Sequence, residues 1–354
     1  MKSDVYFIKN HTNDLKERLD ALSKLINQLD PFAIYKKGEF VPIKITIGDA
    51  KCIYNISPDL VKIVVSDIKK RGARPFLFDT NVIYSGSRTN AIDHLILAQN
   101  KGFSQNKIGA PYIVADGLFG SDGKEYELDS EYIKKIKVPS FIGMLENLLV
   151  LSHATCHIIT GYAGAIKNVA MGMCSRPTKQ VQHSSLKPSI IEKKCASCGC
   201  CIEICPAGAI SRDNANKVTI DSASCIGCGE CICACRFDAI YINWKEDVDI
   251  FAKRIAEVAS FILSRFKNKF FITFAFDITK ECDCISTSSD KIICKDIGIL
   301  ASYDIVALDK ATSDLINKDD DLIFKEKSTS SYKTTLEYVS KKGLGNLDYR
   351  LIEL

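Results

Sequence analysis

The chain has little excess charge of either sign. Its 354 residues carry 47 Lys and Arg against 43 Asp and Glu, a formal net charge of +4. The basic residues are scattered and form no long run, which argues against nucleic acid or an anionic membrane surface as a partner. The N-terminus, Met1-Lys2-Ser3-Asp4-Val5, lacks the long apolar stretch of a secretory signal. A clean membrane-spanning run is also missing. Residues 147–166 are a charge-free stretch of twenty, but Ser152, His153, Thr155, His157, Thr160 and two glycines interrupt it. A run of that length can cross a bilayer, yet this composition fits a buried strand followed by a polar, glycine-rich loop. The sequence therefore predicts a chain without a membrane span, located in a reducing cytoplasm. Its 46% apolar and 25% charged residues are those of an ordinary globular protein.

What the chain has in abundance is cysteine: sixteen, ten of them between Cys195 and Cys235. So many thiols without an export signal argue for metal ligation and not for disulfides. The first set is Cys195, Cys198, Cys201 and Cys205, followed by Pro206. The second is Cys225, Cys228, Cys231 and Cys235, each ligand recurring thirty residues after its counterpart. The spacing C-x2-C-x2-C-x3-C, doubled, is that of a bacterial-type ferredoxin holding two [4Fe–4S] clusters. Three cysteines on a tight loop reach three corners of one cubane, and the fourth ligates the other cluster. The predicted sets are Cys195, Cys198, Cys201 and Cys235 for one cluster, and Cys225, Cys228, Cys231 and Cys205 for the second. Two zinc knuckles account poorly for this pattern, because a zinc site closes with four ligands and has no need of crossed sets. Arg236 stands where Pro usually follows the last cysteine, and is read as a solvated side chain. Cys200 and Cys233 are surplus to the eight ligands and read as small buried hydrophobes.

Outside this segment strand and helix alternate. Strands are predicted at residues 5–8, 41–47, 76–78, 112–115, 270–276 and 304–308. Helices are predicted at 14–29, 57–71, 90–100, 248–266 and 332–342. The rhythm implies an α/β protein with a mixed or largely parallel sheet, interrupted by an α+β two-cluster ferredoxin module. The expected domains are 1–185 and 244–354, two parts of one α/β domain, with the module at 186–243. Residues 175–194, rich in Ser, Lys, Gln and Pro, read as the linker into it.

In such sheets ligands gather beyond the carboxyl ends of the strands. Asp79, Thr80, Asp116, His153 and Asp277 fall at those ends and are candidates for a substrate rim. Gly161 and Gly164 precede a helix near Ala165, where backbone N–H groups and Lys167 would suit an anion. Three of the five histidines, His153, His157 and His183, lie close by in sequence. With Lys167 they are the candidate catalytic residues, set to position substrate or a further metal, or to move protons near neutral pH. Cys282 and Cys284 form a C-x-C pair that would share a metal with histidines across the rim, or else stand as two unrelated thiols.

Several stretches together resemble a broad prokaryotic family of uncharacterised Fe–S centre proteins built on a domain of unknown function. They are DTNVIYSGSR at 79–88 followed by His94, ADGLFG at 115–120, and GYAGAIKNVAMG at 161–172. DITKECDC at 277–284 and DIGILASYDIVALDKA at 296–311 continue the likeness, with Ile305 where the family commonly has Pro. The resemblance covers nearly the whole chain and implies an inserted ferredoxin with a shared site outside it, without implying a reaction. The leading expectation is an oxidoreductase-type protein that passes electrons between the clusters and a small-molecule substrate at the rim, in exchange with a redox partner protein. The alternatives are a carrier or adaptor with no chemistry of its own, and a sensor whose cluster state alters the α/β domain.

Overall fold

The computed structural model describes the chain apart from Met1, Ser85, 158–159, 184–186, Ile226, Cys228, 243–247, Ile285 and 319–330. It opens with β1 (Ser3–Lys9), α1 (Leu15–Leu29), β2 (Phe40–Lys44), α2 (Pro58–Lys70) and β3 (Arg74–Asp79). Next come α3 (Ala91–Asn100), α4 (Gln105–Ile108), β4 (Tyr112–Val114), β5 (Lys124–Glu127) and β6 (Lys135–Val138). The centre holds β7 (Asn147–His153), β8 (Thr155–His157), β9 (Gly161–Ala163), α5 (Ala165–Gly172) and α6 (Arg176–Gln182). The cysteine-rich segment contributes β10 (Pro188–Ile190), α7 (Cys200–Glu203), β11 (Ile210–Arg212), β12 (Val218–Ile220), α8 (Glu230–Ala234) and β13 (Ile240–Ile242). The chain ends with α9 (Val248–Ser264), β14 (Asn268–Ala275), β15 (Gly298–Ser302), α10 (Ile305–Asn317), α11 (Ser331–Lys341) and β16 (Tyr349–Glu353).

One eight-stranded sheet organises the fold, in the order β16-β1-β15-β14-β7-β2-β3-β4. It is mostly parallel: β15 alone runs against its neighbours β1 and β14. Strands from before and after the cysteine-rich segment thus share the sheet. Helices cover both faces, so the central strands are apolar on both sides instead of alternating. In β7, Leu148 and Val150 enter the core beneath α5, α9 and α10, while Leu149 and Leu151 enter the opposite core beneath α1 and α2. Each such buried aliphatic side chain contributes about 1.5–3 kcal/mol by leaving water. No helix among the described residues is long and apolar enough to cross a membrane.

Local signals place several boundaries. Asp14 caps α1 through the N–H of Lys16, and Ser57 caps α2 with Pro58 in its first turn. Two expectations fail. Residues 304–308 are not a strand. Asp304 accepts the N–H groups of Val306 and Ala307 at 2.9 and 3.0 Å and starts α10 there. The sheet strand is the preceding β15, so the apolar run misled because a buried helix turn and a buried strand look alike over four residues. The expected linker at 175–194 contains α6, whose polar side chains are largely buried. Thr178 Oγ1 donates to the Lys137 carbonyl at 3.0 Å, and Gln182 Nε2 to that of Ala170 at 3.0 Å.

Candidate functional site

The cysteine-rich segment repeats in space as it does in sequence. β10 and β12, α7 and α8, and β11 and β13 each begin thirty residues apart. The pairing follows the same shift. Ser189 of β10 lies opposite Tyr241 of β13, and Thr219 of β12 lies opposite Ser211 of β11, both antiparallel. Each ladder therefore joins a strand of one half to a strand of the other. The backbone N–H of Ala209 donates to Cys205 Sγ, and that of Ala239 to Cys235 Sγ, both at 3.3 Å.

Two hollows of similar size result. One, about 350 Å³ with its open mouth, is lined by Cys195, Cys198, Cys201 and Cys235. The other, about 320 Å³, is lined by Cys205, Cys225 and Cys231. The last cysteine of each motif has crossed to the hollow of the other. The donor set is thiol sulfur among apolar side chains, Ile190, Val218 and Ile240 in one hollow and Pro188, Ile210 and Ile220 in the other. That chemistry suits a soft, sulfur-ligated centre. Cys228 lies outside the described residues. Cys233 is buried as expected, and burial pushes its thiol up to about 12. Cys200 is instead exposed at the mouth of the first hollow. Arg236 is exposed but lies over the Phe119 ring, 5.0 Å from its centre.

The segment is keyed to the α/β sheet. Ile83, from the loop after β3, packs into its small core, and Lys137 of β6 pairs with Glu230 of α8 at 3.5 Å. That same loop carries Arg88 into the second region of interest, the rim where β14, β7, β2, β3 and β4 end. Lys44, at the last position of β2, is fully buried. Its Nζ donates to Asn168 Oδ1 at 2.6 Å and to the Ile45 carbonyl at 3.0 Å, and lies 3.1 Å from Asp79 Oδ1. Arg88 reaches the other Asp79 oxygen at 3.7 Å and donates to Tyr84 OH at 2.5 Å. Lys179 of α6 donates to Thr80 Oγ1 at 2.6 Å and to the Asn81 carbonyl. Asn81 in turn donates from its backbone and its side-chain amide to Asp116 Oδ1, both at 2.9 Å.

Charges this deep persist only because they are paired. Burial lowers Lys44 to about 8, and Asp79 only partly offsets it. Burial would raise the Asp79 carboxyl, yet Lys44, His94 and Arg88 hold it below its ordinary value. For Asp116 burial outweighs the charge of Lys179 and raises it to about 7. His94, buried against Tyr112 at 3.1 Å, is pushed down to about 3. Asp116 Oδ2 and His94 Nδ1 are buried without a hydrogen-bond partner among the described residues. The site also dictates a glycine: a Cβ on Gly172 would lie 2.1 Å from Lys44 Cε.

Beside this network stand the histidines and the C-x-C pair. His153 Nδ1 lies 2.8 Å from Asp283 Oδ1, and its Nε2 lies 2.7 Å from the Phe276 carbonyl. With an acceptor at each nitrogen the ring is held as imidazolium. Burial opposes that charge, but Asp283 prevails and the pKa rises. The donor atoms of His157, Cys282 and Cys284 converge within 4.8 Å of one another, a grouping able to hold a metal ion. Lys167 Nζ lies 3.4 Å from Cys282 Sγ and 3.8 Å from Cys284 Sγ, and burial lowers it to about 8.

Other expected members go elsewhere. His183 stacks on Phe251 of α9, ring centres 4.3 Å apart, and lies outside the His157–cysteine group. Asp277 pairs with Arg18 of α1 at 2.7 Å, and Arg18 also holds Asp296 at 2.5 Å, a tie between helix and sheet. The start of α5 after Gly161 and Gly164 does bind an anion, but one from the chain itself. Asp309 of α10 accepts the N–H groups of Ala165 and Ile166 at 2.8 and 2.9 Å. A Cβ on Gly164 would come within 2.4 Å of that carboxylate. The glycine-rich loop is therefore a helix-docking device, a correction to its reading as a ligand site. Lys44, Arg88, His94, Asn168, Lys179 and Asp283 were not among the expected site residues. A lysine inside the apolar run Val41–Ile47 was the one direct clue, since strands buried on both faces rarely tolerate a charge.

A mostly parallel α/β sheet with a buried charged rim, joined to a duplicated cysteine segment, defines the class. The chain belongs to the family marked by the domain of unknown function DUF362, whose sequence model matches residues 41–314. Among solved structures it is similar to a protein from Thermotoga maritima, at 12% identity and a TM-score of 0.44 over 95% of this chain and 61% of that one. It is also similar to the lactate racemase apoprotein from Thermoanaerobacterium thermosaccharolyticum, at 13% identity and a TM-score of 0.39 over 84% of this chain and 54% of that one. The chain thus spans less than two thirds of the length of either structure. Comparison with curated proteins gives no significant match.

Proposed function

We propose that the chain is an iron–sulfur protein whose residues 186–243 form a two-cluster ferredoxin-type module serving a redox site at the rim of the α/β sheet. Cys195, Cys198, Cys201 and Cys235 would hold one [4Fe–4S] cluster, and Cys225, Cys228, Cys231 and Cys205 the second. Bound there, such clusters supply reversible one-electron transfer. The observation that carries the reading is the crossing of Cys205 and Cys235 into each other's hollow. A pair of independent four-cysteine zinc sites would have no reason to cross. The N–H groups of Ala209 and Ala239, aimed at the two crossed sulfurs, would stabilise thiolate over thiol.

The rim supplies the rest. Lys44, Arg88 and Lys179 would receive an anionic group of a small polar substrate. Asp116 Oδ2 and His94 Nδ1, both buried without a hydrogen-bond partner among the described residues, would meet its polar atoms. Asp116, at about 7, is suited to give or take a proton near neutrality. A redox partner protein would exchange electrons at the exposed mouth of the first hollow.

The direct test is iron and sulfide analysis with EPR on anaerobically purified, dithionite-reduced protein. About eight irons and eight sulfides, with signals from two interacting reduced clusters, are expected. About four irons or fewer, in protein shown to have kept its clusters from oxygen, would overturn the reading.

A further inference from the structure

We infer that Cys282 and Cys284 form a two-electron dithiol–disulfide couple at the rim, in which the clusters' single electrons are collected in pairs. The second half of that statement rests on the two-cluster reading above; the first half does not.

The two sulfurs are joined as a disulfide in this structure. The loop that carries them is fixed from several sides. The Asp283 carbonyl accepts the Asp49 N–H at 2.9 Å, the Cys282 carbonyl accepts the Ser286 N–H at 2.9 Å, and the Asp283 side chain is held by His153. The Thr279 carbonyl, just upstream, accepts the Cys156 N–H at 3.1 Å. Cys282 is buried and Cys284 is partly open to solvent, so the two residues differ in their access to solvent. Lys167 lies within 4 Å of both sulfurs, and His153 holds the side chain of Asp283, the residue between them. Such an electropositive, half-open setting is where thiolates form and exchange readily.

A resident metal accounts less well for the same atoms. His157 Nδ1 accepts the N–H of Thr160 at 3.0 Å, so the lone pair on that nitrogen is already engaged. His153 has an acceptor at each nitrogen and offers no lone pair. The sulfurs are bonded to each other. In the disulfide form the group therefore lacks the free thiolates that a metal needs, and only the reduced pair would regain them.

The balanced step is simple. The Cys282–Cys284 bond takes up two electrons, which the two clusters would supply singly when bound, and breaks. Two protons, one delivered by the Lys167 ammonium and replaced from solvent, complete two thiols. The reverse returns two electrons and two protons and reforms the bond. Two one-electron centres and one two-electron couple match without remainder. The loop after β3 gives the two regions a shared element, with Ile83 in the core of the cysteine segment and Arg88 3.7 Å from Asp49, which binds the Asp283 loop.

The test follows tryptic peptide 281–291 by alkylation and mass spectrometry in full-length, anaerobically purified protein. Equilibration in dithiothreitol buffers of graded potential is expected to take that peptide from no label to two labels in one two-electron step. Two labels at every potential, or a metal held in stoichiometric amount that blocks labelling until chelated, would overturn the couple. Electrons supplied by photoreduced deazaflavin are then expected to open the disulfide in the parent but not in a Cys201→Ser/Cys231→Ser variant. An equal response in both would overturn the supply by clusters. Iron and sulfide, measured on the same samples, separate this from failure of the cluster reading: clusters present beside an inert disulfide would count against the couple alone. Lys167→Met is expected to slow alkylation of the reduced Cys284 about tenfold at fixed pH without altering iron content. An unchanged rate would remove Lys167 from its positioning role.

Discussion

The cysteine segment and the charged rim are built on opposite principles. In the first, a short stretch of sequence carries its whole chemistry: the ligands sit at fixed spacing and recur after thirty residues. The fold adds one operation, the crossing of Cys205 and Cys235. In the second, the chemistry is divided among several separate stretches, 79–88, 115–120 and 161–172 among them. Lys44, Asp79, Arg88, Asp116, Asn168 and Lys179 come from distant parts of the chain and meet because five parallel strands end at one edge. A spacing-based site tolerates a small core, whereas a site assembled from strand ends needs a large rigid sheet to hold buried charges in register. The two regions should therefore break in different ways.

The sharpest contrast comes from Cys205→Ser. Crossing predicts loss of the centre in the hollow lined by Cys225 and Cys231, with iron falling from about eight to about four, although the substitution lies in the first motif. The EPR of the reduced variant should lose its inter-cluster coupling and keep a single-cluster signal. Loss of both centres, or of the one beside Cys195, would mean that the halves do not exchange ligands. The fold of the sheet should be untouched.

Asp79→Leu should do the reverse. It strips Lys44 and Arg88 of their shared carboxylate inside the protein, and removing one partner of a buried pair costs about 3–5 kcal/mol. Urea unfolding at pH 7 should show that loss while the iron content per folded molecule stays at the parent value. A cost below about 1 kcal/mol would show that the rim is solvated and not a buried network.

Asp116→Asn tests the rim through pH. The folded pKa of Asp116 is raised to about 7 by burial, above the value near 3.9 of an unfolded chain. The folded state then holds the proton more tightly, so this group's contribution is full below about pH 4 and is lost as pH rises through about 7. Asparagine keeps an oxygen for the two Asn81 donors and cannot ionise. The variant should be more stable than the parent at pH 8, and the gap should narrow by pH 5, read as urea midpoints. A variant less stable at pH 8 would mean that ionised Asp116 is compensated by a cation.

The smallest effect is expected on the surface. Lys310 and Asp314 pair at 2.6 Å across one turn of α10, each a third or more exposed. Asp314→Asn should cost no more than about 0.5 kcal/mol, and less at high salt. Set beside Asp79→Leu, it measures how much burial multiplies the worth of a charge pair.

The two regions also differed in how far they could be read in advance. The doubled cysteine spacing and the βα rhythm were legible because each depends on residues close in the chain. The run at 304–308 was misread, since four apolar residues fit a helix turn as well as a strand until Asp304 is seen capping Val306 and Ala307. Helix α6 was hidden by its composition. Arg176, Thr178, Lys179 and Gln182 look like a linker until partners from β6, α5 and the loops after β3 and β4 are brought to them. The histidines were grouped by nearness in sequence, yet His183 went to Phe251 while His157 joined Cys282 and Cys284.

Sequence alone determined the thiol chemistry of residues 195–235, because ligand spacing on a short loop is a local geometric constraint. It also determined the alternation of strands and helices, because period and capping are local as well. Only the tertiary structure decided which carboxylate docks on α5 and which charges are buried together. Those outcomes depend on which strand ends become neighbours, and strand order in a parallel sheet is set by packing between segments far apart in the chain.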